Sequence, residues 1–597
     1  MDRVEATDYY DLAAVSDPRV SPDGERVAFV RSAPRDEEDR GSTVHVVPVG
    51  GGEPRQFTVS EGHDGQPRWS PSGDRLAFVS ERGEETEGGQ LWVMPTGGGE
   101  ARRVTDVPGG VDDVAWRPDG SALSFTQSAL AGEREEGVDL ERPADFEREE
   151  PDPRVVDRLV YRAHENYFDG ARTHVYLARL DDDEVERLTE GDADFTEPTW
   201  GDADTLFWAV ERGPNPDDSD EWTVEAHDVP SGETAARFET EGWQPLLAAT
   251  ADGRVAHTHT PAERMTLRQT EVRVHDPETG DVRTLTDRLD RTVGSGPQWG
   301  DDGERVYFTT PDEGSVVLRR VADDADADPE VTLGGEREVE GFDVGRDAVA
   351  FVQSEWDHPG DVFAATPGGA EEVRLTRVNA DYLEGRAVRE PEAVTVEVGD
   401  HEVEGWVLTP PDFDPGEEYP LVVEIHGGPH ATWTTSGTMW HEFQTLAARG
   451  YVVSWCNPRG SSGYGESFAA AIERDWGRVT SEDVLAFADA VAAREYVDDG
   501  DQFVTGGSFG GFATGWLVGH TDRFDGAVAQ RGVYDIASFY GSTDAFKLVE
   551  GDFGTTPWEE PELCWEQSPV AHVEDVSTPT LVMHAENDYR VPVNNGE

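Results

Sequence analysis

Two hydrophobic periodicities divide the chain. Up to about residue 380, apolar runs follow tight polar turns. Ser21-Pro22-Asp23-Gly24 precedes Arg26-Val27-Ala28-Phe29-Val30, and Ser70-Pro71-Ser72-Gly73 precedes Arg75-Leu76-Ala77-Phe78-Val79. A third copy is Arg117-Pro118-Asp119-Gly120 before Ala122-Leu123-Ser124-Phe125, with weaker copies at 201–204, 251–253, 301–303 and 345–347. Trp69, Trp116, Trp200 and Trp299 precede four of these turns. Between them lie alternating stretches such as Gln90-Leu91-Trp92-Val93-Met94-Pro95, turned by Gly97-Gly98-Gly99 into Arg102-Arg103-Val104-Thr105. Asp-Gly and Gly-Gly corners between alternating stretches predict antiparallel hairpins rather than a helical solenoid. Each element occurs seven times, about 45–50 residues apart with one gap of roughly 80. The spacing predicts a seven-bladed β-propeller over residues 1–380. The long gap holds an acidic insertion at about 128–160, read as a solvated loop.

From about residue 385 strands and helices alternate. Val394 to Val398 and Glu402 to Leu408 read as a hairpin, and Leu421-Val422-Val423-Glu424-Ile425 as a buried strand. Met439 to Arg449 reads as an amphipathic helix closed by Gly450. Tyr451 to Trp455 reads as a strand, and Ser481 as the cap of a helix running to about Glu495. Strands are also predicted at Gln502–Thr505, Asp525–Gln530 and Thr580–His584. Such alternation gives a largely parallel sheet covered by helices, an α/β-hydrolase-like domain over 385–597.

Composition narrows the surroundings. The chain has 597 residues, 125 of them acidic against 49 basic, for a formal charge of −76. Lys547 is its single lysine. That charge repels nucleic acid and anionic membranes. Acid enrichment with almost no lysine resembles proteins of salt-loving archaea, where concentrated KCl screens self-repulsion. Two cysteines, Cys456 and Cys564, give no disulfide framework and suit a reducing cytoplasm. The first residues lack the apolar core of a signal peptide, and no run of about 18 apolar residues predicts a membrane span.

The chemistry concentrates at Gly506-Gly507-Ser508-Phe509-Gly510-Gly511, a G-x-S-x-G motif between a predicted strand and a predicted helix. That context is the one in which such a serine is presented as a nucleophile. A serine hydroxyl needs a base, a carboxylate to orient the base, and N–H donors for the oxyanion. Asp588, at the end of the strand Thr580-Leu581-Val582-Met583, is the candidate carboxylate. Gly427, in His426-Gly427-Gly428-Pro429-His430, and Phe509 are the candidate oxyanion donors. His426 and His430 read as structural or pocket-lining.

These stretches, together with Asn457 to Gly465, Asp475-Trp476-Gly477 and Asp588-Tyr589-Arg590-Val591-Pro592, resemble the prolyl oligopeptidase family, and its acylaminoacyl-peptidase branch most. The resemblance implies a propeller joined to an α/β-hydrolase domain, cleavage of short peptides through an acyl-enzyme in the cavity between them, and no metal or cofactor. Self-association into a homo-oligomer is compatible with it. It also suggests Arg531 as a group that holds a substrate carbonyl. One departure is plain: no histidine follows Asp588, so a C-terminally incomplete hydrolase domain is expected. A dipeptidyl aminopeptidase, gripping the substrate amine through Glu149-Glu150, is the nearest alternative. An esterase and an inactive propeller scaffold are the others.

Overall fold

The computed structural model runs from Met1 to Glu597 and describes all residues except 37, 38, 61, 84–87, 144, 149–152, 157–159, 164, 165, 183, 213–218 and 325. The Glu149-Glu150 pair lies outside the described residues. The N-terminal strands form five separate four-stranded antiparallel sheets, at 14–56, 64–103, 112–187, 195–241 and 247–284. Two more four-stranded meanders, 298–333 and 338–374, are joined into one sheet by a single parallel contact, Val316 to Glu338.

The repeated residues are the joints between neighbouring units. Each polar turn follows the first strand of its unit and is locked by its own side chains; Ser21 Oγ accepts from Arg26 N at 3.0 Å, and Ser70 Oγ from Arg75 N at 3.0 Å. The tryptophan before the turn reaches back to the preceding unit. Trp69 Nε1 donates to Arg19 O (3.0 Å), Trp116 Nε1 to Arg68 O (2.9 Å), Trp200 Nε1 to Ser124 Oγ (3.0 Å) and Trp299 Nε1 to Ala248 O (3.0 Å). An arginine of the preceding unit stacks on three of the indoles: Arg26 on Trp69, Arg75 on Trp116 and Arg254 on Trp299, at 4.7–4.8 Å. Apolar cores fill the spaces between neighbours, and one of them unites Val15, Val27 and Phe29 with Ala350, Val352 and Val362, closing first unit on last.

The C-terminal sheet contains β1 (Glu392–Val398), β2 (His401–Leu408), β3 (Tyr419–Ile425), β4 (Val452–Asn457), β5 (Val497–Gly507), β6 (Gly526–Gln530) and β7 (Thr580–Met583). Its order is β1-β2-β4-β3-β5-β6-β7, and every pair from β4 onward is parallel. Helices α1 (Trp440–Ala448), α2 (Trp476–Ala492) and α3 (Phe509–His520) pack on it. Helix α2 begins earlier than the expected Ser481 cap. Asp475 is its cap, accepting from Arg478 N, and the fully buried Trp476 anchors its first turn.

The first residues do not run in a sheet unit. Asp2 pairs with Arg386 in a parallel bridge; Asp2 N donates to Gly385 O (2.8 Å) and Ala387 N to Asp2 O (2.9 Å). Arg3 Nη1 donates to Ala448 O at the end of α1 (2.8 Å) before the chain enters its first unit at Ala14. Among the described residues no helix is long and apolar enough to cross a membrane.

Candidate active site

Ser508 stands between β5 and α3 at φ 59°, ψ −119°. This left-handed turn is costly for a side-chain-bearing residue and persists only where packing enforces it. Here the glycines allow that packing. A Cβ at Gly510 would run into the Ile425 carbonyl, and one at Gly506 would stand 2.6 Å from the same oxygen. The sheet and α3 therefore meet backbone to backbone, and Ser508 N is fixed to Gln530 O at 3.0 Å.

Gly427 lies beside the serine: an added Cβ would stand 3.5 Å from Ser508 Cβ. Phe509 opens α3, where a first-turn N–H has no intrahelical acceptor. Both candidate donors thus flank Ser508. His426 braces this turn, with Nδ1 2.6 Å from Gly427 O and Nε2 2.8 Å from Ser461 Oγ; burial pushes its pKa down to about 4.

Asp588 sits in the loop after β7, its Oδ1 accepting from Val591 N at 2.9 Å. Its neighbours Arg590 and Val591 line the same cavity as Ser508. His584 lies 3.9 Å from Asp588 Oδ2, but its Nε2 is turned to Val591 O at 2.6 Å. His430 lines the cavity as well, yet both its nitrogens are occupied: Nδ1 faces Gly460 O (2.9 Å) and Nε2 faces Asp552 (3.1 Å). Burial opposes its charge, but the Asp552 carboxylate and the Gly460 carbonyl outweigh that and hold its pKa above the ordinary value. Among the described residues no hydrogen bond joins Ser508 to a histidine.

The cavity has a volume of about 680 Å³ and walls from both halves of the molecule. Pro429, His430, Ser508, Phe509, Val533 and Phe546 face Trp222, Trp243, Gln244 and Met265 to Thr270. Ion pairs span or rim it. Lys547 Nζ reaches across to Asp220 Oδ1 at 2.5 Å and Ser219 O at 2.9 Å, while Arg590 Nε meets Asp544 Oδ1 at 2.5 Å. Asp552 is buried and ties five groups together, accepting from Trp476 Nε1 (2.7 Å) and from Thr266 of the opposite half besides His430 and, through its carbonyl, Arg264 (3.1 Å) and Arg474 N (3.0 Å). Arg531 lies beside the serine turn. It is exposed, with its amide on Met583 O at 2.7 Å and its guanidinium beside Gly507. Sequence reasoning missed Asp552, Asp220 and the two tryptophans. The one available signal was Lys547, a lone lysine among 49 basic residues.

Fold and site together define a propeller-capped α/β-hydrolase with a serine on a strained strand-to-helix turn. The family model described as the prolyl oligopeptidase family matches residues 437–597, and the TolB beta propeller domain matches residues 11–135. The chain is 32% identical over 620 residues to the uncharacterized peptidase YuxL of Bacillus subtilis, spanning 100% of this chain and 92% of that protein. It is 27% identical over 302 residues to dipeptidyl-peptidase 5 of Porphyromonas gingivalis, a match spanning 49% of this chain and 44% of that protein. The structure of Pyrococcus horikoshii acylaminoacyl peptidase aligns with a TM-score of 0.83 at 22% identity, over 100% of this chain and 90% of that one. The chain belongs to the prolyl oligopeptidase family of serine-type peptidases.

Proposed function

We propose that the protein cleaves short peptides, including N-acylated ones, through an acyl-enzyme formed on Ser508. The observation that carries this reading is the strained Ser508 opening into a cavity walled by both halves. Ser508 is the nucleophile; Gly427 and Phe509 donate to the oxyanion; Asp588 orients the base. A cavity of about 680 Å³ holds a few residues of extended peptide and excludes a folded domain. The seven four-stranded units act as seven blades of a propeller, 1–380, that screens the hydrolase domain, 385–597, from large substrates. The acidic composition supports a cytoplasmic protein working in concentrated salt. Arg531, exposed and with its guanidinium beside Gly507 next to the nucleophile, is the candidate to hold a substrate carbonyl.

A preference for acylated ends is supported by the pairing of two of the three acids that line the cavity among the described residues. Asp220 is held by Lys547 and Asp544 by Arg590, so neither is free to receive an ammonium; Glu211 is the third. The likeness to a dipeptidyl-peptidase favours the second reading, a dipeptidyl aminopeptidase. Two measurements test these assignments. In a form that carries the histidine base, Ser508→Ala should abolish covalent labelling by a fluorophosphonate and lower kcat by on the order of 10⁴ or more; persistent labelling removes Ser508 from the mechanism. N-acetyl-Ala anilide should be cleaved with a higher kcat/KM than the Ala-Ala anilide; the reverse order selects the dipeptidyl aminopeptidase, and cleavage of simple esters alone selects an esterase.

A further inference from the structure

Away from the cavity, the hairpin turn of the last sheet unit gathers Glu355, Asp357 and His358, one donor atom from each lying within 4.8 Å of the others. His358 is only 2% exposed, yet its Nδ1 has no hydrogen-bond partner, and its Nε2 stands 3.8 Å from Asp357 Oδ1. A buried ring nitrogen without a partner is costly unless something outside the chain satisfies it. Arg337 bonds Gln353 and Glu372 through Nη1, and Arg374 bonds Asp361. Gln353 donates to one oxygen of Glu355, fixing that carboxylate and leaving its second oxygen available. Asp357 is half exposed, so water can complete a coordination shell from outside.

We propose that Glu355, Asp357 and His358 bind a divalent transition-metal ion, and that the ion braces the seam between the two halves. One imidazole with two carboxylates is a donor set suited to borderline ions such as Zn²⁺ or Mn²⁺ rather than to Mg²⁺. The bracing follows from the turn's position. Trp356, inside it, accepts from the buried Trp440 Nε1 of α1 at 2.8 Å, and Ser354 Oγ lies 3.1 Å from Ser436 Oγ. Peptide hydrolysis at Ser508 needs nothing from this site.

The 597-residue chain, stripped with EDTA, is titrated with ZnCl₂ and with MnCl₂ in concentrated KCl. Excess Mg²⁺ is present to occupy the general acidic surface. Saturable binding of one ion per chain is expected, with a rise in Tm and slower amide exchange at 354–358 and 436–441. Asp357→Asn, at an exposed position that leaves folding intact, should weaken binding by roughly tenfold or more, and His358→Gln should do the same. No saturable binding, or undiminished affinity in Asp357→Asn, overturns the site. Binding without slower exchange at 436–441 overturns the brace.

Discussion

The propeller half and the hydrolase half bury their apolar side chains in different geometries, and the difference decides where chemistry can sit. In the propeller each core lies between two neighbouring units, such as the one shared by Ala28, Val44, Trp69 and Phe78. Within the ring these cores join each unit to its neighbours, and the ring closes through Phe29 against Ala350 and Val362. In the hydrolase half a large core runs from Val403 and Ile425 through Trp476, Phe509 and Phe512 to Phe553 and Val591, beside a smaller one of Trp406, Leu408, Phe443, Val453 and Trp455. A ring of like joints offers a mouth and a wall but no privileged position. A large core gathered from many elements can hold one residue, Ser508, in a conformation that its local sequence disfavours.

The sharpest test of the contrast is at the ring closure. Phe29→Ala removes a fully buried ring and should cost about 3–5 kcal/mol. Amide exchange should rise across 14–56 and 338–374 while α3 stays protected. Uniform loss of protection would mean that the two halves unfold as one unit. Gly510→Ala asks the converse of the hydrolase half. The new methyl would run into the Ile425 carbonyl and stand 3.0 Å from His426 O, and overpacking of this kind should cost roughly 3 kcal/mol and abolish fluorophosphonate labelling. Labelling at the normal rate would show that the tight contact of sheet and helix is not what fixes Ser508.

A smaller effect concerns the seam. Because the folded pKa of His430 is raised, its contribution to stability is fully present below the unfolded value of about 6.5 and is lost as pH climbs through the folded value. The Tm difference between wild type and His430→Gln should therefore shrink steadily above neutrality. A difference independent of pH would mean that His430 is uncharged against Asp552. The smallest effect is expected where the N-terminal segment meets the hydrolase surface. Arg3 and Asp412 form a 3.0 Å ion pair with both side chains half exposed or more, so Asp412→Asn should change stability by under about 1 kcal/mol. A larger loss would give the N-terminal segment a part in folding that its exposure does not suggest.

Legibility in the sequence differed in the same way as the cores. The repeat was readable because each turn, tryptophan and hairpin serves the same local purpose several times over, and local purposes leave local patterns. The Ser508 turn was readable because its glycines are required by contacts within the motif and with β3. Asp552 was not readable: its partners Trp476, Thr266, His430 and Arg264 come from four separate stretches, and nothing in Glu550-Gly551-Asp552-Phe553 marks it. The start of α2 was misplaced because Ser481 and Asp475 are both acceptable caps. The burial of Trp476, a tertiary fact, decides between them. Arg531 was suggested by its place after β6, and at φ 39° its guanidinium lies beside Gly507, next to Ser508.

The pairing of Asp2 with Arg386 gives the molecule a mechanical asymmetry. The chain crosses the seam twice at one place, once in the N-terminal segment and once in the linker. Force applied through Met1 would load the Asp2 contacts and then the Arg3 contact with α1 in sequence, as a zipper opens. The ring closure at Phe29 would bear load only after that. Pulled from the other end, through Glu597, the same seam would be loaded all at once, in shear. A single-molecule extension experiment should therefore find an early low-force step from the N-terminus that is absent when only the hydrolase half is pulled.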